Sequence, residues 1–365
     1  MLNPFNRAVI ISVLIFVSYL PALAQLTAAY TDSREQFFVL DGSEVDHIEY
    51  QQIRSFKVGV DFLVYVDALE NLVAYYGGKK DTVEKYHVSN YFVSGRLLVY
   101  SMGKQLVVYD LGKKQRLSFS AESYFVGDSI VAFYDQGLQL LKAYYKGGVY
   151  EIEDGITGIP FKTMLAGDNI VAYVDNANYL KIFYHGSLFE QAYLPMSFLV
   201  GANLVAYVES IGGFKVYYLG DEYEMETLSP NSYKVGDNML AYIDQSGNFK
   251  IFDKGTVAEV STFPPDFYKV KGNIVIFAED QIFKCYYNGE IYTLENFVPD
   301  FFELEESILV YRGMQGELKV FYKGDVQTIS IESTSDLRVF RSAVSFTLGK
   351  NKNLIFSQGE LYQKP

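Results

Sequence analysis

Three histidines, one cysteine and a series of turn carboxylates are the residues of this 365-residue chain that could do chemistry, and their spacing excludes most of it. His47 lies among Glu44, Asp46 and Glu49, but no second histidine falls at a metal-ligand spacing, and His87 is isolated. His185 occupies a turn position that equivalent segments fill with Lys146, Leu219, Lys254, Asn288 or Lys323, the variation expected of an exposed turn. Cys285 stands where the same segments carry Ile182, Val216, Ile251 and Val320, so it reads as a small core residue and not as a nucleophile. H-E-x-x-H, G-x-S-x-G, P-loop and C-x-x-C patterns do not occur. No catalytic residue, metal or cofactor is therefore assigned. Asp61, Asp128, Asp168 and Asp237 recur in short turns, and a glycosidase or lyase could use them only if they converge to within about 5–10 Å.

What positions these residues is a repeat of about 35 residues. One half reads VGDSIVAFYD (126–135), AGDNIVAYVD (166–175), VGANLVAYVE (200–209) and VGDNMLAYID (235–244). The other half reads LKAYYKG (141–147), LKIFYHG (180–186), FKVYYLG (214–220), FKIFDKG (249–255), FKCYYNG (283–289) and LKVFYKG (318–324). Within residues 232–260, SYKV, MLAYI, FKIFD and TVAEV alternate with tight Gly/Asn/Asp turns, which predicts four short strands. The second and third strands are apolar on both faces and must lie between layers. The fourth is polar, and simple alternation puts Glu222, Glu224 and Glu226 on one face of an outer edge. Sheets stacked around an axis satisfy this pattern, so the chain is expected to be an all-β β-propeller of roughly nine to ten four-stranded units. Two smaller propellers divided near 150–162, or an open β-solenoid, would also satisfy it. EIEDGITGIPFKT (151–163) reads as an insertion between units, and Ala29–Asp32 with FFVLDG (37–42) as a degraded first copy lacking its first strand.

The strand order and the I-A-F-like and I-Y-like strands around Asp/Gly turns resemble the TolB-type and WD-repeat propeller families over nearly all of residues 25–365. The resemblance implies the fold and carries no function, because the Ser-Pro-Asp-Gly turn, the Gly-His pair and every Trp are missing.

Residues 1–24 read as a signal peptide: Arg7, an apolar run from Ala8 to Tyr19, and an A-x-A site at Ala22–Ala24. The run is too short to span a bilayer, and no membrane insertion is expected after cleavage. The propeller is assigned to 25–365. A single cysteine excludes a disulfide framework, and the absence of N-x-[ST] sequons favours a bacterial periplasmic or extracellular protein. A net charge of −13 argues against nucleic acid as a partner.

The repeated Asp135, Asp175, Glu209 and Asp244, and the repeated Lys142, Lys181, Lys215, Lys250, Lys284 and Lys319, read as structural ion pairs, since a single site requires asymmetry. The asymmetric position is the residue after the first-strand aromatic, for which Met164 and Leu337 substitute: it is charged in units one and six to nine (Lys57, Lys234, Lys269, Glu303 and Arg338) and apolar in units two to five. If the first strand lines the channel, these four cations form one arc of its mouth, suited to an anionic or amphipathic ligand. The expected function is an exported, non-enzymatic binding or scaffolding module for a protein or small anionic ligand. A propeller-fold glycosidase or lyase and a self-associating surface protein are the alternatives.

Overall fold

The computed structural model describes residues 26–363 except 61, 86, 87, 89 and 155–163, so His87, Asp61 and residues 1–24 lie outside the described residues. Regular structure among the described residues is all strand, arranged in ten antiparallel sheets. Nine have four strands in sequence order, called a to d here, and the first has three. The blades span residues 26–49, 55–84, 90–118, 121–153, 164–193, 197–226, 232–261, 267–295, 302–330 and 334–362. Each buries the two faces of its b and c strands against its neighbours. In blade 7, Leu240 and Tyr242 face blade 6, while Met239, Ala241 and Ile251 face blade 8. The chain thus forms one ring, not two propellers or a solenoid.

In blades 1, 2, 4, 5 and 7 the b–c turn forms because an aspartate at the end of strand b caps it through its own carboxylate. Asp244 accepts hydrogen bonds from the Ser246 and Asn248 amides, each at 2.9 Å, and pairs with Lys250 at 2.9 Å. Burial opposes its charge, but Lys250 and Asn248 outweigh it and hold the carboxyl at about 2. Lys181–Asp175, Lys215–Glu209 and Lys284–Glu279 repeat the pairing, so these residues are structural.

Strand d departs from the alternation read from sequence. In blade 6, Lys215 opposes Glu224 while its neighbour Phe214 opposes Glu226, so one extra residue bulges between them. The bulge turns Glu226 toward blade 7, where it accepts from Tyr242 at 3.0 Å and Lys250 at 2.8 Å. Glu222 is also engaged, by Tyr207 and Lys215. Two of the three glutamates therefore lock blades and strands together instead of only guarding an edge. Glu49 with Lys80, Glu84 with Lys114, Glu153 with Lys181 and Glu295 with Lys319 repeat the inter-blade link. Residues 151–153, expected in an insertion, complete strand d of blade 4 (Gly148–Glu153).

The ring closes through the incomplete first blade. Its strands are b (Leu26–Thr31), c (Phe37–Asp41) and d (Glu44–Glu49). Ala28, Tyr30, Phe38 and Leu40 bury against Ala343 and Ile355 of blade 10, while Ala29, Phe37 and Val39 bury against Leu63 and Tyr65 of blade 2. Blade 10 meets this seam with Ser345 and Thr347, at positions held by Ala241 and Ile243 in blade 7.

Candidate functional site at the channel

Strand a is innermost in every complete blade, and its short turn into strand b meets the next blade's turn. The turns are joined backbone to backbone: Ser129 N–H donates to Asp168 O at 2.9 Å, Asn169 to Ala202 at 3.0 Å, Asp237 to Gly272 at 2.7 Å and Ser307 to Arg341 at 2.9 Å. An amide ladder adds Asn169 Nδ2 to Asn203 Oδ1 and Asn203 Nδ2 to Asn238 Oδ1, both at 2.9 Å. Glycine is required by the close approach. A Cβ on Gly167 would lie 1.6 Å from Gly201 O, and one on Gly201 would lie 1.9 Å from Gly236 O.

The middle residues of these turns meet across the channel. Arg341 of blade 10 donates to both carboxylate oxygens of Asp128 in blade 4, at 2.7 and 2.5 Å, and also pairs with Glu306 of blade 9. Ser94 Oγ donates to Asp128 at 2.7 Å. Asp168 and Asp237 complete the cluster electrostatically. Burial pushes the Asp168 carboxyl up to about 7, reinforced by Asp128 and Asp237 and opposed by Arg341. Burial likewise pushes Glu306 up to about 7 against the pull of Arg341, and raises Asp237. Burial disfavours the Arg341 cation, but Asp128, Glu306 and Asp168 outweigh it and hold the guanidinium protonated.

Asp128, Asp168 and Asp237 therefore act on one another electrostatically around Arg341. Glu306 and Arg341, which sequence reasoning missed, complete the group. Both occupy the turn position that Asp237 holds in blade 7, which is the signal that could have found them. Among the described residues, no three His, Cys, Asp or Glu side chains stand where they could hold a metal ion. His47 stacks on Phe38 with the Tyr50 ring tilted against its other side, and Cys285 is fully buried with its thiol pushed up by burial.

The raised carboxyls make a sign-definite prediction. A carboxylate whose folded value lies above its unfolded value contributes stability below about pH 4 and loses it as pH rises through about 7. Glu306→Gln is therefore expected to melt above wild type at about pH 8, with the gap closing toward about pH 5. Thermal melts across that range check it; a gap that widens in acid would contradict the sign.

Lys57, Lys234, Lys269 and Arg338 all lie on a strands, opposite Val64, Ala241, Ile276 and Ser345 of their b strands. They occupy the same level in blades 2, 7, 8 and 10, so only Lys234 and Lys269 are in adjacent blades. Each reaches along the ring to the following strand a. Lys57 Nζ donates to Tyr91 O at 2.7 Å and Lys234 Nζ to Tyr268 O at 2.6 Å, each over the same residue's ring. Lys269 Nζ sits 4.4 Å from the Phe302 ring centroid. Among the described residues blade 1 has no strand a, and the Arg338 guanidinium lies 5.0 Å from the Phe56 ring of blade 2. Burial lowers the affinity of Lys57 for its proton.

A ring of short-looped, four-stranded blades whose inner turns hydrogen-bond one to the next defines a β-propeller, here with ten blades. The chain belongs to the 10-bladed beta propeller domain family, whose model matches residues 21–362. No curated protein matches it. Among solved structures it is similar to the computationally designed Ika8 protein, at 15% identity and TM-score 0.35, over 82% of this chain and 99% of that one. It is also similar to Prp20p from Saccharomyces cerevisiae, at 10% identity and TM-score 0.33, over 64% and 82% of the two chains. Hsv2p from Kluyveromyces lactis shows 10% identity and TM-score 0.31, over 74% and 93%. These likenesses are too distant to carry an argument about this chain.

Proposed function

We propose that the protein is an exported, non-enzymatic propeller that serves as a binding or scaffolding module in the bacterial cell envelope or outside the cell, with a protein as its partner. The reading rests on one observation above all: the acidic turn cluster holds an internal guanidinium. Arg341 fills the space between Asp128 and Glu306, the place a substrate would need. The blades otherwise offer short turns around a rigid ring, a scaffold suited to recognition. A small anionic or amphipathic ligand at the channel is a subsidiary proposal, with Lys57, Lys234, Lys269 and Arg338 as its contacts. It would have to draw the first two ammonium groups away from the carbonyls they now bond. Lys234→Ala/Lys269→Ala with undiminished binding of inorganic phosphate would overturn it.

A second reading, a propeller-fold hydrolase or lyase, has a specific observation in its favour: Asp168 and Glu306 are carboxyls held near neutrality, where a general acid works best. Export is tested by producing the whole chain in a bacterial host and sequencing the amino terminus of the fractionated protein. A periplasmic or secreted product beginning at Gln25 is expected. A cytoplasmic product retaining residues 1–24 would overturn the export half of the reading.

A further inference from the structure

Because neighbouring strands run antiparallel, the ring has two faces of different origin. The a–b and c–d turns form one; the b–c turns and the d–a connections between blades form the other. Exposed apolar side chains sort by face. Leu69 and Met314, in b–c turns, are 78% and 77% exposed. Among the described residues of the opposite face, Leu219 at 52% is the nearest counterpart. Single exposed apolar residues need no explanation, but a systematic difference between two faces of one ring does.

Such residues run round the whole of that face, Tyr50, Phe119 and Ile331 among them at 76%, 67% and 85%, and blades 5 to 8 are set apart by the backbone that carries theirs. Met196, Leu228 and Phe263, in the three connections from blade 5 to blade 8, are 65%, 59% and 74% exposed, and Ile211, in the b–c turn of blade 6, is 87% exposed. The same connections carry Pro195, Pro230, Pro264 and Pro265, and the next carries Pro299; between residues 164 and 363 proline stands nowhere else. Proline fixes the backbone that carries these side chains, so holding them in place on binding costs little further entropy. A recess of about 380 Å³ opens beside Ile211, with Phe214 and Met225 on its apolar side and Glu209, Lys215, Glu224 and Glu226 on its polar side, and could receive a side chain.

Charge selects the partner. Segments 193–197, 208–214, 227–232, 243–249, 261–267 and 296–302 contain no Lys or Arg. Glu209 and Asp244 there are held by Lys215 and Lys250, while Asp266 and Asp300 are exposed at the border. A second copy would set acid against acid at this border.

We infer that the proline-stiffened arc over blades 5 to 8 is a docking surface for a partner protein presenting an apolar patch bordered by Lys and Arg. This rests on the binding-module reading and deepens it. The probe is a 14-residue synthetic leucine–lysine amphipathic peptide, compared with its leucine–glutamate counterpart and titrated into the whole chain. The lysine peptide is expected to bind and to slow amide exchange in 193–197, 227–232 and 261–267. Met196→Asp/Phe263→Asp should weaken binding by about tenfold or more, as loss of central anchors does, with its melting temperature unchanged. Leu69→Asp, in blade 2 on the same face, should leave binding unchanged. Protection elsewhere, equal weakening by Leu69→Asp, equal binding of the glutamate peptide, or a homodimer that the double variant dissolves would each overturn the inference. Turnover that depends on Asp168 would overturn the module reading and leave this surface standing.

Discussion

Arg341→Leu is expected to melt roughly 4 °C below wild type at about pH 8, a loss of about 3 kcal/mol. The substitution keeps much of the apolar stem and removes the one cation that Asp128 and Glu306 share across the channel. The cost comes less from two lost ion pairs than from the carboxylates left behind, partly buried and facing one another. The deficit should therefore shrink toward about pH 5, where Glu306 and Asp168 take up protons and the repulsion falls. Arg341→Lys should recover only part of the loss, since an ammonium cannot address two oxygens of Asp128 while also meeting Glu306. Thermal melts at the two pH values decide it. Unchanged melting of Arg341→Leu would show that the clasp contributes nothing to the ring.

Gly167→Ala is expected to cost about 3 kcal/mol or more, an unusually large effect for one methyl group. Its Cβ would stand 1.6 Å from Gly201 O, a backbone atom that cannot swing aside. Relief would require blades 5 and 6 to separate at their inner ends, which breaks the hydrogen bond from Asn169 to Ala202 and the Asn169–Asn203 amide contact. Gly137→Ala is the matched comparison. There the nearest atom is Asp135 Oδ1 at 3.5 Å, an ordinary contact, and the change should fall within about 0.5 kcal/mol of wild type. Denaturant midpoints of the two variants, with unchanged slopes, make the comparison direct.

Much of this architecture was legible in the sequence because it is local and repeated. Tyr173, Tyr207, Tyr242 and Tyr311 recur once per unit and are all fully buried in strand b. Ala29–Asp32 aligned with the strand b of the other units, and FFVLDG with their strand c, which matches the b and c strands of the first blade. Two kinds of feature were hidden. The strand d bulge inserts one residue into a period of two, so an alternation count puts Glu226 on the wrong face. The pairing of Arg341 with Asp128 joins residues 213 positions apart, and only closure of the ring brings them together. The aromatic contacts of Lys57, Lys234, Lys269 and Arg338 were hidden for a related reason. The sequence shows that Lys57, Lys234 and Lys269 each follow an aromatic residue, and Arg338 a leucine, in their own strands, but not that these side chains lie against a ring in a following blade.

The proposed module uses the acidic turn cluster as a clasp between blades 4, 9 and 10, held by Arg341, and not for catalysis. Its most direct test is turnover by wild type, Asp168→Asn and Glu306→Gln on a panel of neutral and uronic-acid oligosaccharides between about pH 5 and 8, the range in which these carboxyls titrate. No hydrolysis or elimination above background is expected from any of the three proteins. Turnover by wild type that either substitution abolishes would contradict it and make the cluster an active site.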